Sequence, residues 1–204
     1  MFLPSYEKIL ACEWTLDNRA IYDRITADTS QTNGGTMFTT IDAFYDAAQP
    51  LIEAFNRSDV EKLRWVAQAD HLCYKCGSHE EFEHLRRLFE TECQFLYQSM
   101  ISNRLIAIIK LPRAIPTLLG EIWFLELSDQ KPDASQTSRF DHVEIYSKNK
   151  LAEWLADHAS TIGIVTKRIV RPHHTTYDIP IDGGFLVRFE DEPLVDKIKR
   201  DEMK

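Results

Sequence analysis

Apolar residues recur along this chain with two periods, and the period changes in the same order twice. From Thr39, the run TTIDAFYDAAQPLIEAF places Ile41, Phe44, Tyr45, Ala48, Leu51, Ile52 and Phe55 on one stripe at helical spacing. Thr39 and Asp42 stand as a capping pair at its start, and Pro50 is expected to kink it. Ser58 to Glu61 is a second capping box, opening a short helix to about Val66. Alternation then takes over in Ala69 to Cys76, which reads as a strand. Ser78-His79-Glu80-Glu81 caps a helix whose apolar face is Phe82, Leu85, Leu88 and Phe89. Three strands are expected next, at Gln94 to Ile101, Leu105 to Leu111 and Glu121 to Leu127, separated by a Ser-Asn turn and a proline-punctuated loop.

The polar stretch SDQKPDASQTSR behaves as a linker, and the order then repeats. A strand at Asp141 to Tyr146, a helix at Asn149 to Ala159 and strands at Ile164 to Arg171, Thr175 to Ile181 and Phe185 to Glu190 are expected, with Asp182-Gly183-Gly184 turning before the last. Both passes read β-α-β-β-β. The runs LIAIIKL and IWFLEL are apolar at nearly every position, so their strands should be covered on both faces. The fold class is α+β, two βαβββ modules at 67–127 and 140–204 joined by a linker at 128–139. A helical lead-in at 39–66 precedes them, and before it an N-terminal extension at 1–38 in which Tyr6, Ile9, Leu10 and Trp14 have helical spacing.

Composition narrows the partners. The chain has 204 residues and a formal net charge of -8, with Lys and Arg scattered among Asp and Glu. No basic face is available to release counterions from nucleic acid or anionic lipid, so neither is expected as a partner. MFLPSYEK brings Glu7 before any apolar stretch of signal-peptide length, and no run approaches membrane-spanning length. The expectation is a cytoplasmic protein, a monomer or weak dimer acting on a small molecule. Its cysteines, Cys12, Cys73, Cys76 and Cys93, are too few for a disulfide scaffold and suit a reducing compartment.

The candidate chemistry lies in RFDHVEIYS, residues 139–147. His142 and Glu144 are two apart on a strand, so they share one face while Val143 and Ile145 take the other. ADHLCYKC, residues 69–76, has the same grammar, with Asp-His-apolar opening a strand and a helix soon after. Paired βαβββ modules resemble the vicinal-oxygen-chelate superfamily, which includes glyoxalase I, extradiol dioxygenases and fosfomycin-resistance proteins. That resemblance implies a curved-sheet cup around a divalent metal, with ligands from the first and last strand of each module. The matching positions are His71, Glu126 in LEL, His142 in DHVE and Glu190 in RFE. Within the superfamily, ADHL, MISNR, IKL, FLEL and DHVEIY look most like the YecM family of metal-binding proteins, over roughly Thr39 to the C-terminus. That family carries a histidine where this chain has Glu190.

Independently of the resemblance, two imidazoles and two carboxylates would neutralise a divalent cation and offset the cost of burying Glu126 in an apolar strand. Without a metal, Glu126 needs an arginine partner or a raised pKa. Mixed N/O ligands suit Zn, Ni, Mn, Co or Fe(II). Cys73 and Cys76, three apart on a strand, face opposite ways and read as packing residues. His173-His174 reads as a solvated pair, and His79, His84 and His158 as exposed helical residues. Arg188 shares the Glu190 face, either binding an anionic substrate group or pairing with a glutamate. Glu144 is the candidate general base, or else the residue that orients a ligand. Two functions fit: a metal-dependent enzyme (a lyase, isomerase or dioxygenase acting on a small oxoacid, enediol or diol), or a non-catalytic metal- or ligand-binding protein.

Overall fold

The computed structural model describes residues 38–101, 103–147, 157–170 and 175–202. The expected N-terminal extension, most of the helix expected at Asn149 to Ala159, and His173-His174 lie outside the described residues. The first helix, α1 (Ile41–Arg57), buries Phe44, Leu51 and Phe55 and is continuous through Pro50. Its cap is Thr40, not Thr39: the Thr40 hydroxyl accepts from Ala43 N at 3.1 Å, and Asp42 instead pairs with Arg113. A 3-10 turn at Asp59–Leu63, capped by Ser58, leads into β1 (Ala67–Lys75).

Helix α2 (His79–Glu90) starts where expected, because Ser78 Oγ accepts from Glu81 N at 3.1 Å. The Glu81 carboxylate reaches back to Gly77 N at 2.7 Å and also accepts from the Tyr74 and Ser138 hydroxyls. Then come β2 (Gln94–Ile101), β3 (Arg104–Thr117) and β4 (Gly120–Ser128). β3 is longer than expected. It carries an irregular step between Lys110 and Ile115 and re-pairs Ile115, Pro116 and Thr117 with the start of β4, so the proline-rich stretch is strand rather than loop. The segment 128–139 is tied down: Gln136 Nε2 donates to the carbonyls of Cys76 and Asp129, both at 2.8 Å.

The second half supplies β5 (Arg139–Ser147), β6 (Lys167–Val170), β7 (Thr175–Pro180) and β8 (Leu186–Glu190). Gly183 and Gly184, at φ of 73° and 74°, make the turn before β8, a conformation that L side chains resist. The chain ends in α3 (Leu194–Glu202), an element the periodicity reading did not include.

The eight strands among the described residues form one sheet in the order β2-β3-β4-β1-β5-β8-β7-β6. This order is a palindrome about the antiparallel β1–β5 seam: each half places its last strand parallel to its first, then steps outward. The twice-read element order is therefore a pseudo-twofold curved sheet, the α+β architecture expected. One face packs against α1 and α2 in a single core that joins Phe44, Phe55, Phe82 and Phe89 to Leu72, Leu125, Val143 and Val187. Phe44 sets its ring edge-on to Phe89 at 5.0 Å and to Phe140 at 4.9 Å, close to the preferred aromatic geometry. The other face of the central strands carries the polar residues.

Candidate metal centre

Both seam histidines owe their position to a break in strand pairing. Core-facing residues are Ala69, Leu72 and Tyr74 along β1, and Phe140, Val143 and Ile145 along β5. A regular strand leaves one residue between the first two of each set, whereas here there are two: Asp70-His71 and Asp141-His142. The register slips at these places, between Ala69 and His71 on β1 and across Asp141 on β5. Each slip is a β-bulge whose extra residue brings an aspartate onto the same face as its histidine. Asp70 Oδ2 lies 2.9 Å from His71 Nδ1, and Asp141 Oδ2 lies 3.0 Å from His142 Nδ1. In the neutral ring, a carboxylate at Nδ1 holds the proton there and leaves the Nε2 lone pair for another partner.

Those Nε2 atoms face carboxylates. His71 Nε2 is 3.7 Å from Glu126 Oε2 and 3.9 Å from Glu144 Oε2, and His142 Nε2 is also 3.9 Å from Glu144 Oε2. Such separations are too long for hydrogen bonds. One atom from each of His71, His142 and Glu144 falls within a 4.8 Å span, the spacing of donors around a common ion. His71 is 0% exposed, and its Nε2 has no hydrogen-bond partner among the described residues. A buried orphan of this kind is costly unless something absent from the polypeptide satisfies it.

Glu126 approaches from β4, where its Cα is paired with that of Cys73, and its Oε1 accepts from Cys73 Sγ at 3.4 Å. Cys73 thus lines the cup face while Cys76 packs in the core. A second group, Cys73, Asp141 and His142, is equally tight. It suits an ion less well, since Asp141 is already held by Lys75 at 2.6 Å and Arg139 at 2.5 Å, and burial keeps the Cys73 thiol protonated.

Arg188, on β8, is clamped by Asp178 of β7, with Nε 3.0 Å from Oδ1 and Nη2 3.3 Å from Oδ2. Its Nη1 lies 3.3 Å from His142 Nε2 and donates onto that lone pair. Glu190 lies beside Tyr146, two residues beyond the Glu144–Arg188 pair, and forms an ion pair with Lys197 of α3. The structure therefore gathers His71, His142, Glu144 and Glu126, and holds the buried Glu190 on Lys197. His79 and His84, expected to be exposed, are half-buried: His79 Nδ1 lies 2.8 Å from Asp129, and His84 Nε2 lies 2.6 Å from the Phe38 carbonyl oxygen.

The electrostatics are asymmetric. Burial pushes the His71 pKa down, but the charge of Glu144, the Asp70 hydrogen bond and charge, and Glu126 outweigh it and raise it to about 9. His142 has the same kind of aspartate, yet burial and the adjacent Arg188 guanidinium hold it below its ordinary value. Burial would raise the Glu126 carboxyl, but the two imidazoles, the Cys73 hydrogen bond and Arg188 keep it low, so it stays ionised. Residues missed in the sequence are Asp70, Asp141, Asp178 and Lys197. The repeated Asp-His pair was a visible signal for the first two, and the amphipathic PLVDKIKRDE run for the last.

The profile of the YecM protein family matches residues 36–175. No curated protein matches the chain. Among solved structures, a structural-genomics protein, EC4020, is 23% identical, with 82% of this chain and 100% of that one covered at a TM-score of 0.58. A variant of homoprotocatechuate 2,3-dioxygenase from B. fuscum is 10% identical, covering 63% and 33%, at a TM-score of 0.40. Methylmalonyl-CoA epimerase from Mycobacterium tuberculosis is also 10% identical, covering 64% and 91%, at a TM-score of 0.39. No helix among the described residues is long and apolar enough to cross a membrane. With its family profile matched over more than half its length, the chain belongs to the YecM family.

Proposed function

We propose that the cup binds one divalent metal ion through His71, His142, Glu144 and Glu126, and that the loaded cup takes a small oxygen-chelating ligand such as an oxoacid, enediol or diol. The observation that carries this reading is the buried, unpartnered His71 Nε2 beside two carboxylates. Charge supports it. Asp70, Glu126, Asp141, Glu144, Asp178 and Glu190 converge here on Lys75, Arg188 and Lys197, with Arg139 reaching Asp141 from the solvent side. Carboxylates outnumber cations, and a buried excess of negative charge is expensive unless a cation joins it.

The donor set of imidazole nitrogen and carboxylate oxygen fits Zn, Ni, Mn, Co or Fe(II). When bound, such an ion supplies Lewis acidity to a chelated oxygen. The rest falls to the chain. Asp70 and Asp141 orient the imidazoles. Glu144, 3.9 Å from both Nε2 atoms, serves in this reading as a ligand, whereas the sequence offers it as a general base or as the residue that orients a ligand. Glu126, with its side chain 22% exposed, is the most exposed of these ligands and the one a bound molecule meets first. Arg188 loses its acceptor at His142 Nε2 once that lone pair is engaged, and its Nη1 becomes a donor for an anionic oxygen of the ligand. Glu190, a ligand on the resemblance, lies outside this proposed inner set.

Metal analysis of protein purified without an affinity tag or chelator, followed by equilibrium dialysis against Zn(II) and Mn(II), tests the proposal. One ion per chain in wild type, lost in His142→Ala, supports it. Wild type that retains no ion at saturating metal contradicts it.

A further inference from the structure

The C-terminal helix is attached to the site at two points. Leu194 N, in the first turn of α3, donates to Asp70 Oδ2 at 2.9 Å, and this is the same oxygen that holds His71 Nδ1. One turn further on, Lys197 puts its ammonium group on Glu190, with the lysine side chain only 22% exposed. Burial lowers the Lys197 pKa, while the charges of Glu144, Asp70 and Glu126 act in the opposite direction.

We infer that Lys197 is a tethered counter-cation of the cup, which neutralises its carboxylates while the metal is absent and is driven off them when the metal binds. This rests on the metal reading above. A divalent ion bound between His71, His142 and Glu144 takes over the negative charge that holds the lysine there and adds a repulsion of its own. Metal loading and docking of Lys197 are therefore negatively coupled, and the coupling is reciprocal: whatever weakens the lysine's hold strengthens the ion's, by the same factor. Leu194 keeps its bond to Asp70, since the Nδ1 side of His71 is not used by the ion. The helix thus stays hinged at its first turn while the turn carrying Lys197 loosens, opening the mouth of the cup only after the ion is in place.

The test compares wild type with Lys197→Met in the full chain, titrated with Zn(II) and with Mn(II), and follows hydrogen exchange across α3 in wild type with and without each ion. Lys197→Met should bind each ion about tenfold more tightly, within the usual range of intersite coupling. In wild type, the amides around Lys197 should exchange faster once the ion is bound. Equal or weaker affinity in the variant, or unchanged or greater protection of α3 on loading, overturns the inference and leaves the metal site standing. If Lys197→Met does not fold, the exchange result in wild type decides alone. If wild type binds neither ion, this inference and the metal reading fall together.

Discussion

Glu126 and Arg188 occupy matching places in the two halves of the sheet. Glu126 is paired with Cys73, two residues beyond His71, just as Arg188 is paired with Glu144, two residues beyond His142. The pseudo-twofold thus sets a carboxylate against a guanidinium, and a thiol against a carboxylate. Half of the cup carries its acid on the outer strand and the other half carries it on the seam. Two histidines and two glutamates are thus brought together without the two halves mirroring each other.

The guanidinium is structural as well as polar. Arg188 and Asp178 form a bidentate pair with both side chains largely buried. Arg188→Gln should cost about 3 kcal/mol in urea unfolding of the metal-free protein, because it strands the aspartate. Adding Asp178→Asn should recover part of that loss. Strict additivity of the two changes would show that the pair is not coupled.

Glu126→Gln separates a metal ligand from a structural ion pair. The change keeps the shape of the side chain and removes one negative charge from an over-acidic cup. Metal retention should fall sharply, while the metal-free protein loses only the modest stability that the favourable surroundings of the ionised carboxylate supply. A variant that loses several degrees while binding metal normally would make Glu126 a partner of Arg188 and the histidines, not of an ion.

The bulge aspartates act through the imidazoles. Asp70→Asn and Asp141→Asn should each weaken metal binding by about 10- to 100-fold, with the bound ion still at the same place. Asp141→Asn should also lower stability, since Lys75 and Arg139 both rest on that carboxylate. Unchanged affinity in both variants would mean that the Asp-His pairs only fill the bulges.

Metal binding should depend on pH with a defined sign. The His71 pKa is raised to about 9, so below that value the metal-free protein keeps a proton on the ring that an incoming ion must displace. Its contribution to metal-free stability is fully present below the ordinary histidine value and is lost as the pH rises through about 9. Apparent affinity should therefore climb by up to about tenfold per pH unit toward that value, with about one proton released per ion from this group. Calorimetric titrations in buffers of different ionisation enthalpy measure the proton count. A flat affinity between about pH 6.5 and about pH 8.5 would remove His71 from the ligand set.

Much of the fold was legible because each element signals locally. Ser58 and Ser78 cap the turn and helix they were expected to open, and the strands of both halves follow the expected order. Strand parity placed His142 and Glu144 on one face correctly. Parity also hid the most informative feature. It assigns Asp141 and His142 to opposite faces, and only the slip in pairing with β1, a contact between residues far apart in sequence, puts them together. The ion pair of Glu190 was illegible for a similar reason, since the amphipathic run that carries Lys197 marks a helix but not where that helix docks. β3 was cut short because Pro112 and Pro116 read as breakers, whereas the irregular step in its pairing with β4 lets the strand pass through both.

The most direct test is a crystal of the full chain grown with Mn(II) or Zn(II), with anomalous differences collected at the absorption edge of the metal. One strong peak per chain is expected, about 2.0–2.2 Å from Nε2 of both His71 and His142 and from a Glu144 oxygen. No peak there at saturating metal, or a peak only at surface residues with the His71 Nε2 still unpartnered, would contradict it.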